Sequence, residues 1–196
     1  MRIALWRRDV PHFLPDPIPQ DILQRLQSAM DAAPSVGNAR PWRVIRVDDP
    51  NLRAQVRADF ARCNTGAPLA FDGEQRAAYD ALKLAGLDRA PVQLAVFTDI
   101  NSAQGHGLGR QTQPETLQQS TAMAIHLLWL AARAENLGLG MVSILQPSAI
   151  EALFAVPQGW IFSAYLYLGW PETQDDTPLL HGAGWQVNTA TQWTER

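Results

Sequence analysis

Apolar positions recur at helical spacing most densely between Thr112 and Leu145. Leu117, Thr121, Ile125, Leu128 and Ala132 fall on one stripe, and Leu127, Leu130 and Ala131 make the other side apolar as well. A helix apolar all round is expected to be buried. His126 and the shortness of the continuous apolar run argue against a bilayer span. Thr112 followed by Glu115 predicts a capping box, with Pro114 in the first turn, and Gly138 predicts the C-terminal end. Met141–Leu145 then reads as a short buried strand with Ser143 as its one polar member.

The same pattern parses the rest of the chain. Ile3-Ala4-Leu5-Trp6 is a short apolar lead into Arg7-Arg8-Asp9. Three prolines in Phe13–Pro19 remove donors and fix φ, so this stretch is an extended connector. Helical spacing resumes from Asp21 through Ile22, Leu26 and Ala29 and stops before Pro34. Ala33–Trp42 holds two prolines, Gly37 and Asn38, which is loop chemistry. Arg43–Val47 reads as a strand, Asn51–Phe60 as a helix, Asn64–Asp72 as irregular, and Gln75–Leu87 as a helix carrying Tyr79 and Lys83. Pro91–Phe97, ending near Asp99, is a strong buried-strand run. Ser102–Gly109 holds three glycines and reads as a mobile loop. A short helix capped by Ser148 reaches Phe154, a turn spans Pro157–Trp160, and Ile161–Gly169 is the last strand. From Pro171 the chain is polar and turn-rich, a tail that wraps a neighbour or stays free.

Helices alternate with strands that lack strict polar alternation. That pattern predicts an α+β fold, a central sheet covered by helices on both sides. The expected organisation is one domain over 1–196, with a core over 1–170 and an extended tail over 171–196. A chain of 196 residues, 46% hydrophobic, is long enough to bury roughly 70% of its unfolded surface. A net charge of −3 gives no argument for nucleic acid. The single cysteine, Cys63, excludes an internal disulfide and a cysteine-rich zinc site and suits a reducing cytoplasm. Met1–Trp6 is too short for a signal-peptide core.

The chemistry legible in the residues is limited. H-x-x-x-H, C-x-x-C, G-x-S-x-G and the phosphate-loop pattern are all absent, so metal, covalent-serine and nucleotide-hydrolysis chemistry lack their usual marks. The pair Arg7-Arg8 suits phosphate through forked, charge-assisted bonds, but a solvated charge pair reads the same way. The Pro34–Pro41 loop offers main-chain N–H groups and small hydroxyls, or is a plain helix-to-strand connection. Together with a buried serine after a glycine pair, these residues support an anionic ligand with an aromatic body.

An ordered set of motifs adds more. Arg7-Arg8-Asp9-Val10 comes first, followed by Ala33-Pro34-Ser35-Val36-Gly37 with Pro41-Trp42. Next come Leu82-Lys83-Leu84 with Ala90–Phe97, and Gly109-Arg110 with Pro114-Glu115-Thr116. Leu130–Glu135 runs on through Val142-Ser143-Ile144. In this order the set resembles the BluB family, the 5,6-dimethylbenzimidazole synthases of the nitroreductase-like flavoprotein superfamily. The resemblance implies a nitroreductase-like α+β fold with a mixed or antiparallel central sheet, and an obligate-type homodimer with FMN at the subunit interface. It implies a cytoplasmic enzyme that breaks down reduced FMN with molecular oxygen to 5,6-dimethylbenzimidazole and erythrose 4-phosphate. Electrons would come from NAD(P)H through a separate flavin reductase, with no nucleic acid and no membrane as partner. By the same resemblance, Asp9 and Ser143 are catalytic. Arg7, Arg8, Asp9, Ser35, Gly37, Lys83 and Ser143 bind the flavin, and no metal is involved.

The chain departs from the family pattern at three places. Pro11 stands where a basic residue is usual, Ala39-Arg40 replaces Met-Gln, and Gln186 follows Gly184-Trp185 where an arginine is usual. Each lost charge-assisted phosphate contact costs ~1.5–3 kcal/mol. These departures keep two alternatives open: a conventional NAD(P)H oxidoreductase of the superfamily, and a divergent flavin-binding member without the cleavage activity.

Overall fold

The computed structural model describes residues 2–66, 73–75, 77 and 86–196. Four strands, β1 (Trp42–Arg46), β2 (Val92–Asp99), β3 (Gly138–Val142) and β4 (Trp160–Gly169), form an antiparallel sheet in the order β1-β2-β4-β3. β2 runs beside β4 from Val92↔Leu168 to Asp99↔Trp160, with a register shift at Val96/Phe97. Both faces of this inner pair are covered, which is why its sequence shows no polar alternation. The α+β expectation holds, and the sheet is wholly antiparallel.

Helices cover each face. Helices α2 (Gln20–Asp31) and α5 (Thr116–Ala134) pack on one side, where Leu26, Met30, Ile125 and Leu128 meet Val96 and Leu166. Helices α3 (Pro50–Gly66) and α6 (Pro147–Leu153) pack on the other, where Val56 and Ile150 meet Phe97 and Tyr165. Short helical turns complete the described chain: α1 (Arg2–Trp6), α4 (Gly86–Arg89) and α7 (Leu179–Gly182). The tail is tied down at its start, where Pro171 bridges Phe13 and the Glu172 N–H donates to the His12 carbonyl at 3.2 Å.

Several sequence boundaries move, each for a local reason. The Thr112–Glu115 capping box does not form. Helix α5 begins at Thr116, whose Oγ1 donates to the Gln113 carbonyl, and Glu115 caps without a side-chain bond. Its C-terminus comes at Ala134, because Asn136, at φ 59°, takes the left-handed position assigned to Gly138. Gly138 instead opens β3, so the strand ends before Ser143 rather than centring on it. The buried positions of α5 form one stripe, while Met123 and His126 on the opposite stripe are exposed. Helix α3 runs six residues past Phe60, to Gly66. Gln146, not Ser148, caps α6, since Pro147 occupies its first turn. Tyr79 and Lys83 lie outside the described residues.

The glycines of β3 are chosen by close packing. A Cβ on Gly138 would lie 2.8 Å from Val10 Cγ1, and one on Gly140 would run into the ring of Tyr167. Tyr167 is 2% exposed and is also overlaid by Gly86, so its ring has no room to swing away. Gly140→Ala is therefore expected to destabilise the protein by ~1–3 kcal/mol or more. Urea denaturation checks this, and a loss below about 0.5 kcal/mol would contradict the packing described.

Candidate active site

After α1 the chain runs extended along the free edge of β3. Asp9 makes a parallel bridge to Leu139, and the Val10 N–H donates to the Leu139 carbonyl at 3.2 Å. The missing side chain at Gly138 allows this approach. It brings Asp9 Oδ1 to 3.3 Å from the Met141 N–H, which donates to it. Burial pushes the Asp9 carboxyl up to about 6, against the lowering effect of that bond and of Arg7. Tyr167, buried beneath Gly140, is pushed above the usual phenol range, first by burial and then by the charge of Asp9.

The two arginines diverge. The Arg7 guanidinium lies 4.7 Å over the ring of Trp129, and its pKa is lowered by burial and then by Arg8. Arg8 turns the other way: Nε donates to the Asp176 carbonyl at 2.5 Å and Nη1 to the Arg7 carbonyl at 2.6 Å. Arg8 and Asp9 line a cavity of about 480 Å³ closed by tail residues including Gln174, Asp175 and Thr177. Pro11, where a basic residue was expected, lines the same cavity.

Ser143 follows β3 directly and is exposed, contrary to the buried position expected for it. It sits two residues after the Met141 amide that holds Asp9, so main chain links the two proposed catalytic residues. It lines neither the Arg8 cavity nor the one beside Trp129.

Ser35 and Gly37 occupy a different place. They belong to a short 3₁₀ turn, Val36–Asn38, and its lead-in. The Val36 N–H donates to Ser120 Oγ at 3.0 Å, and Ser35 Oγ accepts from the Arg40 N–H at 3.1 Å. Gly37, at φ 53°, is pressed against the Leu108 carbonyl, where a Cβ would lie 2.6 Å away. Ser120 and Trp129 are nine residues apart on α5, about 13 Å along its axis at ~1.5 Å per residue. Arg7 and Asp9 therefore group near one end of the helix and Ser35 and Gly37 near the other, while Ser143, just past β3, lines neither described cavity. Between them the outer stripe of α5, including Ala122, His126 and Trp129, faces Met141, Phe162 and Ser163 across a cavity of about 480 Å³.

Arg40 does not stand in for the charge missing at Pro11. It pairs with Asp31 and lies 5.7 Å over the Trp42 ring. Sequence reasoning missed Trp129 as the platform for Arg7 and the Met141 amide as the anchor for Asp9. A tryptophan interrupting an apolar helix was the one available signal for the first; main-chain donors leave none. Among the described residues no cluster of three His, Cys, Asp or Glu could hold a metal, and no helix is long and apolar enough to cross a membrane.

The raised Asp9 pKa has a cost in stability. The folded protein holds this proton more tightly than the unfolded chain, whose carboxyl titrates near 3.8. Its favourable contribution is therefore present below about pH 4 and lost as pH rises through about 6. The loss is about 3 kcal/mol. Asp9→Asn is expected to be more stable than wild type at pH 8 by about that amount, with the gap closing at pH 4. Denaturation at both pH values checks this, and a less stable variant at pH 8 would contradict it.

Comparison with known proteins agrees with this architecture. Residues 4–170 match the Nitroreductase family. A 5,6-dimethylbenzimidazole synthase of Rhodobacter capsulatus is 63% identical over 194 residues, 99% of this chain and 94% of that protein. The synthase of Rhodospirillum rubrum is 52% identical over 181 residues, 92% of this chain and 86% of that protein. A crystal structure of oxidised iodotyrosine deiodinase, bound to FMN and 3-iodo-L-tyrosine, shares the fold at TM-score 0.78 and 22% identity, covering 100% of this chain and 98% of that one. A nitroreductase-family match over most of the chain, joined to near full-length identity with two synthases, shows that this chain belongs to the 5,6-dimethylbenzimidazole synthase (BluB) branch of the nitroreductase family.

Proposed function

We propose that this protein is an oxidoreductase that fragments reduced FMN with molecular oxygen, releasing 5,6-dimethylbenzimidazole, the lower base of cobalamin, and erythrose 4-phosphate. The observation that carries the reading is Asp9. It is a half-buried carboxyl raised to about 6 and fixed on the amide of Met141, which precedes Ser143 by two residues.

The donor set fits FMN in part, since Arg8 would have to leave the Asp176 carbonyl to reach a phosphate. Arg7 and Arg8 offer guanidinium groups to a phosphate, and Trp129 and Met141 offer flat and apolar surface to a ring. When bound, reduced FMN supplies both the electrons that oxygen accepts and the carbon skeleton of the products. At neutral pH a carboxyl near 6 is ionised yet easily reprotonated. Asp9 can thus take a proton from the ribityl chain and return one to a leaving fragment. The Ser143 hydroxyl is free to hydrogen-bond the ring beside its oxygen-reactive atoms.

The active unit is a homodimer. One chain holds its two groups of site residues about 13 Å apart along α5, and α5 carries an exposed outer stripe that includes Met123 and His126. Two copies with these stripes antiparallel bring the Ser35 turn of one copy against the Arg7 end of the other. In this reading residues 1–170 are the catalytic core, 171–196 are a tail closing on Arg8, and a cytoplasmic flavin reductase supplies electrons from NAD(P)H. Arg8 already bonds the tail, and Pro11 adds no cation beside it. Those two facts favour a second reading, a conventional NAD(P)H oxidoreductase on the same scaffold.

Incubation with FMN, NADH, a flavin reductase and air is expected to yield 5,6-dimethylbenzimidazole by mass spectrometry. Asp9→Asn and Ser143→Gly are each expected to lower that yield by ~10²–10⁴-fold without loss of fold. No product from wild type at saturating FMN rejects the cleavage reading. Bleaching of bound flavin by NADH without any reductase supports the second.

A further inference from the structure

The pairing of β2 with β4 is broken at one place, and the residue left over there is Ser163. Val96 pairs with Ala164 and Phe97 with Phe162, so Ser163 is the extra residue of a β-bulge. Regular alternation would put Ser163 with Tyr165 and Tyr167, on the face covered by α3 and α6. The bulge turns its hydroxyl to the opposite face, where Thr98 Oγ1 lies 2.7 Å away and Thr121 of α5 lies beyond it. β3 stays paired with β4 only as far as Val142↔Tyr165, so the chain leaves the sheet toward Ser143 two β4 residues short of the bulge. Ser163 is exposed and, with His126, Trp129 and Met141, lines the cavity of about 480 Å³ beside the outer stripe of α5.

The hydroxyls of Thr121, Thr98 and Ser163 form a chain with a set direction. Thr98 and Thr121 are fully buried. Thr121 Oγ1 donates to the Leu117 carbonyl at 3.3 Å, one turn back in α5. Thr98 Oγ1 donates to Thr121 Oγ1 at 2.8 Å. A hydroxyl has one hydrogen. Thr98 therefore has none left for Ser163, and at the 2.7 Å contact Ser163 is the donor. The other taker for its hydrogen, the Ile161 carbonyl, is 3.5 Å away, beyond the range of a good O–H···O bond. Ser163 thus faces the cavity with lone pairs alone. An unrestrained serine adapts to donors and acceptors alike; this one is set to accept. The two threonines already satisfy their own hydrogens, so they do not need the bulge.

We propose that Ser163 is a ligand-contacting residue of the flavin site, an oriented acceptor for an N–H of the isoalloxazine ring, and that Thr98 and Thr121 are the positioning residues that orient it. This rests on the reading that the ring lies against Trp129 and Met141. The edge of such a ring carries carbonyl oxygens, bare nitrogens and N–H groups. A hydroxyl locked as an acceptor is unfavourable beside the first two and favourable beside the third, so it fixes which edge of the ring turns toward β4. The reduced ring, the proposed substrate, carries more N–H groups than the oxidised one.

The test compares wild type, Ser163→Ala, Thr98→Val, Thr98→Ser and the double variant Ser163→Ala/Thr98→Val by melting temperature without flavin, by anaerobic titration with reduced FMN, and by sedimentation for the dimer. Ser163→Ala is expected to weaken binding ~5–50-fold, because it leaves a ring N–H unpaired. Thr98→Val touches no ligand, yet it frees the Ser163 hydrogen to point at the ring and is expected to weaken binding ~2–10-fold. Thr98→Ser keeps the acceptor and is expected to bind as wild type does. In the Ser163→Ala background, Thr98→Val is expected to add nothing. A Thr98 that only supports the fold would add its own loss there, and that result overturns the proposal. Unchanged affinity in Ser163→Ala or in Thr98→Val overturns it too, as does a weaker dimer with unchanged affinity, which gives Ser163 to the subunit contact. Wild type that binds FMN in neither redox form removes the flavin reading itself, and this proposal with it.

Discussion

Three stretches of main chain crowd together at the outer end of the sheet, and the candidate chemistry depends on that crowding. β3 is short and flanked by Val10 on its free edge and by Tyr167 in the neighbouring strand. Both approach closely because positions 138 and 140 have no side chain. The Val10 contact draws Asp9 along β3 until its carboxylate meets the Met141 N–H. The Tyr167 ring lies beneath Gly140, its hydroxyl held protonated first by burial and then by the charge of Asp9. Desolvation outweighs the one hydrogen bond and the nearby Arg7, so the carboxyl titrates near 6. A polar group is thus placed where it weakens the fold at neutral pH, as acid–base groups often are.

Helix α5 sets the scale of the remainder. Its buried stripe, from Leu117 to Ala132, joins the helix to the sheet, and small polar residues are satisfied along it: Thr121 Oγ1 accepts from Thr98 at 2.8 Å, and Ser120 holds the Val36 amide. The helix is thus a rigid spacer between the Ser35 turn and the Trp129–Arg7 stack. Its outer stripe, expected buried from a helix apolar all round, is exposed at Ala122, Met123 and His126 in the single chain. Both facts support the homodimer proposed above.

Much of the fold was legible because burial on both faces writes itself as apolar runs. β2, β4 and α2 were each placed to within two residues. Boundaries failed where local signals had tertiary causes. Gly138 looked like a helix terminator, but Asn136 does that work and Gly138 is small for the sake of Val10. Ser143 looked buried because the strand was placed three residues too late. Arg7, Arg8 and Asp9 were found through the ordered motifs; residue chemistry alone allowed a solvated pair. The Met141 amide carries no residue-type signal, and neither does the spacing between the two groups of site residues. Only the fold reveals them.

The adjacent arginines show how environment divides the work of identical side chains. Arg8 spends its Nε and Nη1 on main-chain carbonyls, one local and one in the tail, so it holds the tail against the N-terminal strap. Arg7 is held by Trp129 through the face of its guanidinium. Stacking of that kind leaves in-plane N–H groups directed outward and costs the cation little of its hydrogen-bonding capacity. In the proposed reading Arg7, of the two, is the one free to meet an anion. Arg8 can serve the same anion on condition that the Asp176 carbonyl releases it. In the proposed reading, a phosphate at this pair meets one cation in position and one bound to the tail, which Arg133 on Gln174 and Asp176 and Arg89 on Glu172 also tie down.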